Sequence, residues 1–273
     1  MAIITISREL AALGDETVKE LSKLSNYRFI DKKALERRIS EYGLDDKNFK
    51  KYDERKGGFF SILSNNRDDY LHFLKKAMFE EAAEGDCVFI GRGAFAIFSS
   101  LPCVLPVFLV SSLEVRIGRV QSYFRCDDKK ARCIISKSDN DKQSFHNYFF
   151  DAEWRKSENY KLTLNTACLS PSVCAQVINN VRLLISNNEI ETKTKERLDE
   201  LRLAQKVAHH ILYEKAITVH FLDVSVSQGV ATLYGVVNAI TFVESLLEAA
   251  KEVDGVIKAV SEIQVIQDYP VFH

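Results

Sequence analysis

Short apolar, β-branched segments alternate with amphipathic ones along most of the chain, and this alternation constrains the fold more than any other feature. The first segment, Ile3–Ile6, precedes apolar residues at helical spacing as far as Leu24, which predicts a strand, a turn and a helix. The same pattern predicts strands at Tyr27–Ile30, Cys87–Ile90, Val107–Val110 and Lys161–Asn165, and helices at about Lys32–Tyr42, Arg67–Ala83, Leu113–Tyr123, Lys129–Phe150 and Ser172–Leu184. The alternation is typical of an α/β fold with a doubly wound parallel sheet.

The pattern changes after Ile185. Residues 186–195 are polar and of mixed charge, which is typical of a linker or of the exposed start of a helix. Beyond them the sequence predicts a helix at about Glu196–Glu214, strands at Ile217–Val226 and Val230–Val236, a helix at Ala239–Val253 and a strand at Ala259–Ile266. We therefore expect an α/β domain over residues 1–185, a linker over 186–195 and a small α+β domain over 196–273, built as helix, hairpin, helix and strand.

Charge and hydropathy exclude several classes of protein. The formal net charge of −1 gives no reason to expect a nucleic-acid partner. The apolar segment Cys87–Val110 is long enough for a membrane span, but Pro102 and Pro106 interrupt it, so we expect two buried strands and no span. No charged and apolar leader precedes the first strand, which predicts a cytoplasmic location. The polar segment Asp45–Asn66 is expected to form a surface excursion.

The turn between the first strand and the first helix is the candidate phosphate-binding loop. In α/β proteins this turn holds phosphate groups with backbone N–H groups and the positive end of the helix dipole, provided that glycines allow close approach. The residues at the positions of such a loop are Arg8, Ala11, Ala12, Gly14, Asp15, Glu16 and Thr17. With one glycine and two carboxylates, the turn has the position of a phosphate loop but few of its chemical groups.

Several segments within residues 1–185 together resemble the cytidylate kinase-like family, a branch of the P-loop nucleoside monophosphate kinases. These segments are Ile3–Glu9, Tyr27–Leu35, Phe89–Ala94, Val107–Val120 and Tyr160–Thr166. The resemblance implies a P-loop kinase fold and transfer of phosphate from ATP to a nucleoside monophosphate such as CMP. ATP and Mg²⁺ are expected as cofactors only if that activity is present. No metal site is predicted, because His146, His209 and His210 lack metal-ligand spacing with Cys, Asp or Glu.

The sequence departs from the family pattern at the loop. The family would have a glycine-rich loop after Glu9, where this chain has Leu10–Leu13. Phosphate loops need glycines for backbone approach, a lysine for the phosphates and a hydroxyl for Mg²⁺. Two unit charges ~5 Å apart repel by about 3 kcal/mol at an effective dielectric constant of 20, so Asp15 and Glu16 would weaken ATP binding. The sequence therefore favours a catalytically weak or inactive homologue with a regulatory or interaction role, and the alternative is an active CMP-type kinase.

In the kinase alternative, cations elsewhere in the chain would replace the missing loop lysine. The catalytic candidates are Lys19, Arg116, Arg119 and Lys142. The resemblance places Arg116 and Arg119 in a lid that closes over phosphates, and it places Lys142 where the family favours an arginine with its bidentate fork. Thr17 is the candidate for the metal-side hydroxyl. The structural alternative for these charges is a solvated helical face.

Two residues are candidates for contact with an acceptor nucleotide. The resemblance assigns Asp31 to the acceptor side, but aspartate is also a good N-cap for the following helix, and both interpretations remain open. Arg92 follows a buried strand and lies between two glycines. Because open α/β sheets bind ligands at the carboxyl ends of their strands, its position favours an anion contact over a structural ion pair.

Residues from about 196 to 268 resemble the BON module. The segments that carry this resemblance are Ile217–Val237 and Val253–Ile266, with a strand, a glycine turn and a second strand, and later a Gly-Val pair before the last strand. The module is associated with binding membranes, phospholipids or other proteins. Because strand edges can pair with another chain, we expect a protein or small-ligand partner for this domain and a nucleotide as a possible ligand of the first.

Overall fold

The computed structural model describes residues 2–42 and 64–266, and the chain divides into two compact units, residues 1–194 and 195–273. The surface excursion expected over residues 45–66 lies outside the described residues as far as position 63.

The first unit is built on a parallel sheet. Its described strands are β1 (Ile3–Arg8), β2 (Arg28–Ile30), β3 (Cys87–Ile90), β4 (Val104–Val110) and β5 (Leu162–Asn165). They form a five-stranded sheet in the order β2-β3-β1-β4-β5, and each neighbouring pair is parallel. The predicted doubly wound α/β class is therefore confirmed, with β1 at the centre of the sheet.

Helices follow the strands in alternation. They are α1 (Gly14–Leu24), α2 (Lys32–Ser40), α3 (Ser64–Ala83), α4 (Ala94–Ile97), α5 (Leu113–Phe124), α6 (Asp128–Phe150), α7 (Pro171–Ile185) and α8 (Asn188–His209). Most begin within a few residues of the predicted positions, and side-chain caps mark the starts of α2, α6 and α7. The Asp127 and Ser170 side chains, for example, accept hydrogen bonds from backbone N–H groups at the beginnings of α6 and α7.

The two faces of the sheet are both covered. On one face, Ile4 and Ile6 of β1 pack in a buried cluster with Leu21 of α1 and Ile178 of α7. The other face is aromatic, with the Phe89 ring of β3 centred 4.9 Å from the ring of Phe98. Side chains on a strand alternate between faces, so the continuous apolar run of β1 fills both layers. β1 is thereby fixed on both sides, and the backbone that leaves its carboxyl end has a defined position.

Strand β4 begins earlier than the sequence predicts. The predicted strand is Val107–Val110, after an interruption at Pro106, but β4 begins at Val104, and Pro106 lies inside it, opposite Thr5 of β1. Proline removes one backbone donor from a sheet but keeps its acceptor. The Pro106 carbonyl accepts a hydrogen bond from the Lys161 N–H (2.9 Å), so pairing continues on that side.

Residues 186–195, for which the sequence allowed a linker or the exposed start of a helix, belong to α8 from Asn188 onward. Thr194 is fully buried, and its hydroxyl accepts a hydrogen bond from the backbone N–H of Cys103 (2.9 Å). The start of this helix is therefore packed against the first unit, and the boundary between the two compact units falls within α8.

The second unit is a small α+β structure. After α8 and a π-type turn (His210–Glu214), it contains β6 (His220–Ser227), β7 (Val230–Val237), α9 (Ile240–Lys251) and β8 (Lys258–Val265). β6 and β7 form an antiparallel hairpin, and β8 pairs in parallel with β7. Leu233 of β7 and Leu246 of α9 are fully buried in the core, whereas Tyr234 of β7 is 41% exposed. The predicted order of helix, hairpin, helix and strand is confirmed.

Candidate functional site

The loop between β1 and α1, residues 9–13, has the backbone of a glycine-type loop without the glycines. Ala11 (φ 61°) and Leu13 (φ 53°) both adopt the left-handed region. Glycine enters this region freely, whereas other L-residues do so at a cost of roughly 1–2 kcal/mol each. Ala12, between them, is fully buried. The loop therefore carries strain at two positions where a glycine would relieve it.

Helix α1 begins directly after this loop. A Cβ at Gly14 would lie 2.7 Å from Arg8 Cγ, so the approach of the Arg8 side chain requires glycine here. Asp15 and Glu16 are exposed in the first turn of α1, where the helix dipole favours carboxylates. Thr17 is fully buried, and its hydroxyl donates to the Leu13 carbonyl oxygen (2.7 Å). The start of the helix thus offers two carboxylates to solvent and uses its hydroxyl internally.

Three of the predicted cations donate hydrogen bonds to backbone carbonyls at or beside this loop. Arg116 Nε donates to the Leu10 carbonyl (2.8 Å), and Arg119 Nη1 donates to the Ala11 carbonyl (2.9 Å). Lys142 Nζ, from α6, donates to the Arg8 carbonyl (2.9 Å). The structure therefore brings together cations that are far apart in the sequence, and it directs them at the protein backbone.

Arg119 also ties the loop to the carboxyl end of β5. Its Nη1 donates to the Thr166 hydroxyl (3.1 Å) and its Nη2 to the Thr166 carbonyl (2.6 Å). Burial lowers the pKa of the Arg119 guanidinium, and the charge of nearby Glu16 opposes that shift. Because arginine keeps its charge at all physiological pH values, these contacts act as permanent charge-assisted bonds.

Two carboxylates neutralise Arg116. The Arg116 side chain is 4% exposed, and its Nη2 donates to both oxygens of Asp139 at 2.8 Å. Its Nη1 lies 3.2 Å from Glu9 Oε1, and Glu9 Oε2 accepts the backbone N–H of Ser111 (3.1 Å). Arg116 thus joins the end of β1 to α6 through buried, oppositely charged groups.

An aromatic cluster lies against α6. Trp154 is 1% exposed, its ring stacks on His146 (centroids 5.8 Å apart), and the ring of Phe108 meets it edge-on. Lys142 Nζ lies 5.5 Å and Arg155 Cζ 5.4 Å from the Trp154 ring centroid. Cations at this distance are attracted by the ring quadrupole, so Trp154 contributes to the placement of both.

The two acceptor-side candidates occupy structural positions. Asp31 is the N-cap of α2 and accepts the Ala34 N–H at 2.8 Å. Arg92 is 3% exposed and has a left-handed backbone (φ 55°). Its Nη1 donates to the Tyr70 hydroxyl at 3.4 Å, and its Nη2 lies 3.8 Å from Glu36 Oε1. Asp31 therefore acts as a helix cap, and Arg92 has a carboxylate partner within the protein.

Arg116 belongs to a charged cluster with Glu9, Asp139 and Arg155. The sequence analysis did not predict these last three as site residues, although the position of Asp139 in its helix could have indicated it. Asp139 lies four residues after buried Ile135 on the inward face of α6, where an acidic residue indicates a buried ion pair. Lys19, which was predicted as a catalytic candidate, is exposed on α1.

A family model described as the cytidylate kinase-like family matches residues 3–167, which is more than half of the chain. The chain belongs to the cytidylate kinase-like family. The match to the cytidylate kinase-like family covers every strand of the first sheet and the loop after β1. A second model, described as the BON domain, matches residues 199–267, which include the three strands of the second unit.

One solved structure supports the fold of this cytidylate kinase-like protein. The chain is similar to the crystal structure of an uncharacterized protein from Eubacterium ventriosum ATCC 27560, with a TM-score of 0.52, 20% identity and coverage of 67% of this chain and 98% of that one. A shikimate kinase from Bacteroides thetaiotaomicron matches with a TM-score of 0.39, 17% identity and coverage of 67% and 98%. The search among curated proteins found no match.

Within residues 2–42 and 64–266, no helix combines the length and apolarity that crossing a membrane requires. Among the same described residues, no three His, Cys, Asp or Glu side chains are grouped so that they could hold a metal ion.

Proposed function

We propose that this cytidylate kinase-like protein is a weak or inactive homologue of the nucleotide kinases, and that it acts as a regulatory or interaction protein through its BON domain. The observation that carries the proposal is that its candidate cations donate hydrogen bonds to the protein backbone. Arg116, Arg119 and Lys142 donate to carbonyl oxygens of residues 8, 10 and 11. A phosphate loop works in the opposite sense, with backbone N–H groups and cations converging on the phosphates.

Redirecting these cations toward ATP would be costly. Each hydrogen bond from a charged group contributes about 1.5–3 kcal/mol, and breaking one leaves a partly buried carbonyl without its donor. The exposed carboxylates of Asp15 and Glu16 add repulsion at the start of α1. Both effects act against a bound triphosphate, so we expect weak ATP binding and little or no transfer.

A second candidate function is an active nucleoside monophosphate kinase of the CMP type, with ATP and Mg²⁺ as cofactors. The observation that favours it is the left-handed backbone of Ala11 and Leu13, since the loop keeps a shape that glycines would normally provide. In this case Lys19 and the lid cations would contact the phosphates.

The BON domain is the proposed site of partner binding. Its sheet has β6 and β8 at the edges, and edge strands present unpaired N–H and C=O groups to another chain. The face of β7 that carries Tyr234 lies opposite its buried face, so part of the sheet is accessible. A protein or small ligand is the partner class that fits such a surface.

A phosphate-transfer assay with ATP, Mg²⁺ and CMP distinguishes the two candidate functions. We expect no measurable product from the full chain. Turnover of about one per second, the low end for kinases, would establish the second candidate instead.

The electrostatic part of the proposal is tested by calorimetric titration of ATP. Asp15→Gly with Glu16→Ser is expected to raise ATP affinity by at least about tenfold, because two repulsive charges are removed. A matched control is Glu189→Ser with Glu191→Ser, which removes two carboxylates from the first turn of α8. An equal response of both variants, or no response, would contradict local repulsion.

A further inference from the structure

One edge of the sheet in the second unit is open to another strand. β6 lies at the edge of the order β6-β7-β8 and pairs with β7 through a hairpin in which Ser227 lies opposite Val230. The two residues that flank a two-residue loop bond to each other through their backbones, and every second residue of β6 before them does the same with β7. The backbone groups of Val224 and Val226 alternate with these, so they face away from the sheet.

Hydrogen bonds show which groups of this edge are available. Arg197 Nη1, from α8, donates to the Val226 carbonyl at 3.3 Å. This carbonyl therefore points outward, and it keeps a second acceptor position. Within the described part of the chain, the outward N–H and carbonyl of Val224 have no hydrogen-bond partner. The edge of β6 thus offers donors and acceptors to another strand.

The opposite edge of the sheet is less suited to a partner strand. On β8, the Ser261 hydroxyl accepts the N–H of Ile263 at 3.2 Å, so one outward donor is already bonded within its own strand. β8 also carries exposed Lys258 and Glu262, and charged side chains on an edge strand discourage pairing. β6 is therefore the edge at which pairing is favoured.

The regular part of β6 is short and carries one charge. A bulge between His220 and Asp223 interrupts the register with β7, so regular pairing covers Asp223–Ser227. We call this range the β6 edge segment. Its sequence, Asp-Val-Ser-Val-Ser, alternates exposed polar side chains with those of Val224 and Val226, which pack toward the core. The segment contains no lysine or proline, the residues that most often protect an edge strand.

The β6 edge segment is complementary to a second copy of itself. When two copies are aligned antiparallel with their outward backbone groups facing each other, Ser225 lies opposite Ser225 of the second copy. Val224 then lies opposite Val226 of that copy, and each of these valine pairs can exchange two backbone hydrogen bonds. Asp223 lies opposite Ser227, so no like charges meet across the strands. The arrangement has the two-fold symmetry of the commonest protein dimers.

We propose that the β6 edge segment is a dimerisation surface, at which two copies of this chain pair antiparallel through β6. The inference rests on the proposed partner binding by the BON domain and deepens it, because it names a second copy of the chain as the partner. One pair of short strands buries less area than the interfaces of stable complexes do. The dimer is therefore weak, and it forms as the concentration of the chain rises.

Sedimentation velocity of the full chain at a series of concentrations measures this association. We expect monomers at about 1 µM and a dimer that contains half of the chains near about 100 µM, as is typical of a small interface. A wild type that stays monomeric up to about 1 mM overturns the inference.

Ser225→Glu tests the two-fold axis, because it places two carboxylates directly opposite each other in the dimer. Ser225 is exposed, so the melting temperature of the monomer should not change. We expect the dimer to weaken by at least about tenfold. The matched control is Gln264→Glu, which adds a carboxylate at an exposed position of β8 on the same face of the sheet and should dimerise as the wild type does. Equal dimerisation of the two variants would place the contact elsewhere and overturn the inference.

Two variants of Ser227 test the register, and they keep the test decisive if Ser225→Glu does not fold. Ser227→Lys would face Asp223 of the second copy, so we expect it to tighten the dimer by at least about twofold. Ser227→Glu would face the same carboxylate with a like charge, and we expect it to weaken the dimer by at least about twofold. Each variant is the control for the other, since they differ in the sign of the added charge. An equal effect of both, or the reverse order, contradicts the proposed register and overturns the inference.

The inference and the proposed function can fail separately. Efficient transfer from ATP to CMP by the wild type would remove the proposal of a weak or inactive homologue, and the sedimentation result would stand. A chain that stays monomeric and shows no transfer would remove the β6 dimer alone.

Discussion

The Thr17 hydroxyl donates to the Leu13 carbonyl in the first turn of α1, at a position where a kinase would use a hydroxyl to hold a metal ion. Thr17 is fully buried, so this bond stabilises the start of the helix that follows the loop. A single side chain can serve the fold or the ligand here, and the two roles have different consequences when the hydroxyl is removed.

Replacing Thr17 by valine keeps the shape and removes the bond. We expect Thr17→Val to lower the free energy of unfolding by about 1 kcal/mol, because the Leu13 carbonyl loses the hydroxyl donor and keeps only the Thr17 N–H (3.0 Å). Thr192→Val is the control, since Thr192 makes the same bond to the carbonyl four residues earlier but is exposed, and its effect should stay within about 0.5 kcal/mol. Denaturant titration measures both. A loss of Mg²⁺-dependent ATP binding without a loss of stability would assign the hydroxyl to a metal instead.

His210 gives the second unit a pH-dependent contact. Its Nδ1 lies 2.5 Å from Glu214 Oε2 and its Nε2 2.9 Å from Glu252 Oε2, and Lys215 also contacts Glu252. The bonds to Glu214 and then Glu252 raise the pKa of His210 above its usual 6.5. Both ring nitrogens can donate only when the imidazole is cationic.

The direction of the pH effect follows from this raised pKa. The contact contributes fully below about pH 6.5, where the unfolded chain is also protonated, and its contribution is lost as the pH rises through the higher folded-state pKa. We expect the free energy of unfolding to fall over that window, and His210→Gln to remove this part of the pH dependence. His220→Gln, which replaces an exposed histidine of β6, should keep it. Denaturation at a series of pH values measures the effect, and an unchanged slope in His210→Gln would contradict it.

At the scale of structural elements, the loop after β1 and helix α6 illustrate what local sequence can and cannot predict. Strand and helix positions were predictable because they depend on local periodicity and caps. The left-handed backbone of Ala11 and Leu13 was not, since neither residue favours it and tertiary contacts impose it. The start of β4 was predicted too late, at Val107, because pairing with the neighbouring strand outweighs the donor that Pro106 lacks.

The charged cluster was predictable only in part. The inward position of Asp139 on α6 was visible in the helical period, but its partner Arg116 is 23 residues away in the sequence. Glu9, the first residue after β1, is more distant still in the sequence. Such pairing depends on how the elements pack around the sheet, and periodicity carries no information about it.

The strain in the loop after β1 can be measured with two neighbouring glycine substitutions. Ala11→Gly relieves a left-handed alanine, whereas Ala12→Gly opens a fully buried site without such relief. Both increase the freedom of the unfolded chain equally. We therefore expect Ala11→Gly to be more stable than Ala12→Gly by at least about 1 kcal/mol in denaturant titration. Equal stabilities would show that the loop is unstrained at Ala11.

At the scale of the whole molecule, the chain combines a cytidylate kinase-like unit with a BON domain, and its nucleotide response can be read from the stability of the full protein. If the dissociation constant for ATP is about 1 mM or weaker, 1 mM ATP stabilises the chain by at most about 0.4 kcal/mol. We expect a melting-temperature rise of no more than about 2 °C with ATP and Mg²⁺, relative to Mg²⁺ alone. A rise of about 5 °C or more would contradict the proposed weak binding.

Trp154 is the single tryptophan of the chain, and it lies within cation–π distance of Lys142 and Arg155. Indole emission responds to nearby charge, so light emitted by the unmodified protein reports on the neighbourhood of Arg155 without any attached dye. A ligand that moves Lys142 or Arg155 away from the ring should therefore change the wavelength or intensity of Trp154 emission. Trp154 emission thus measures ligand binding beside Lys142 and Arg155 in the unmodified chain.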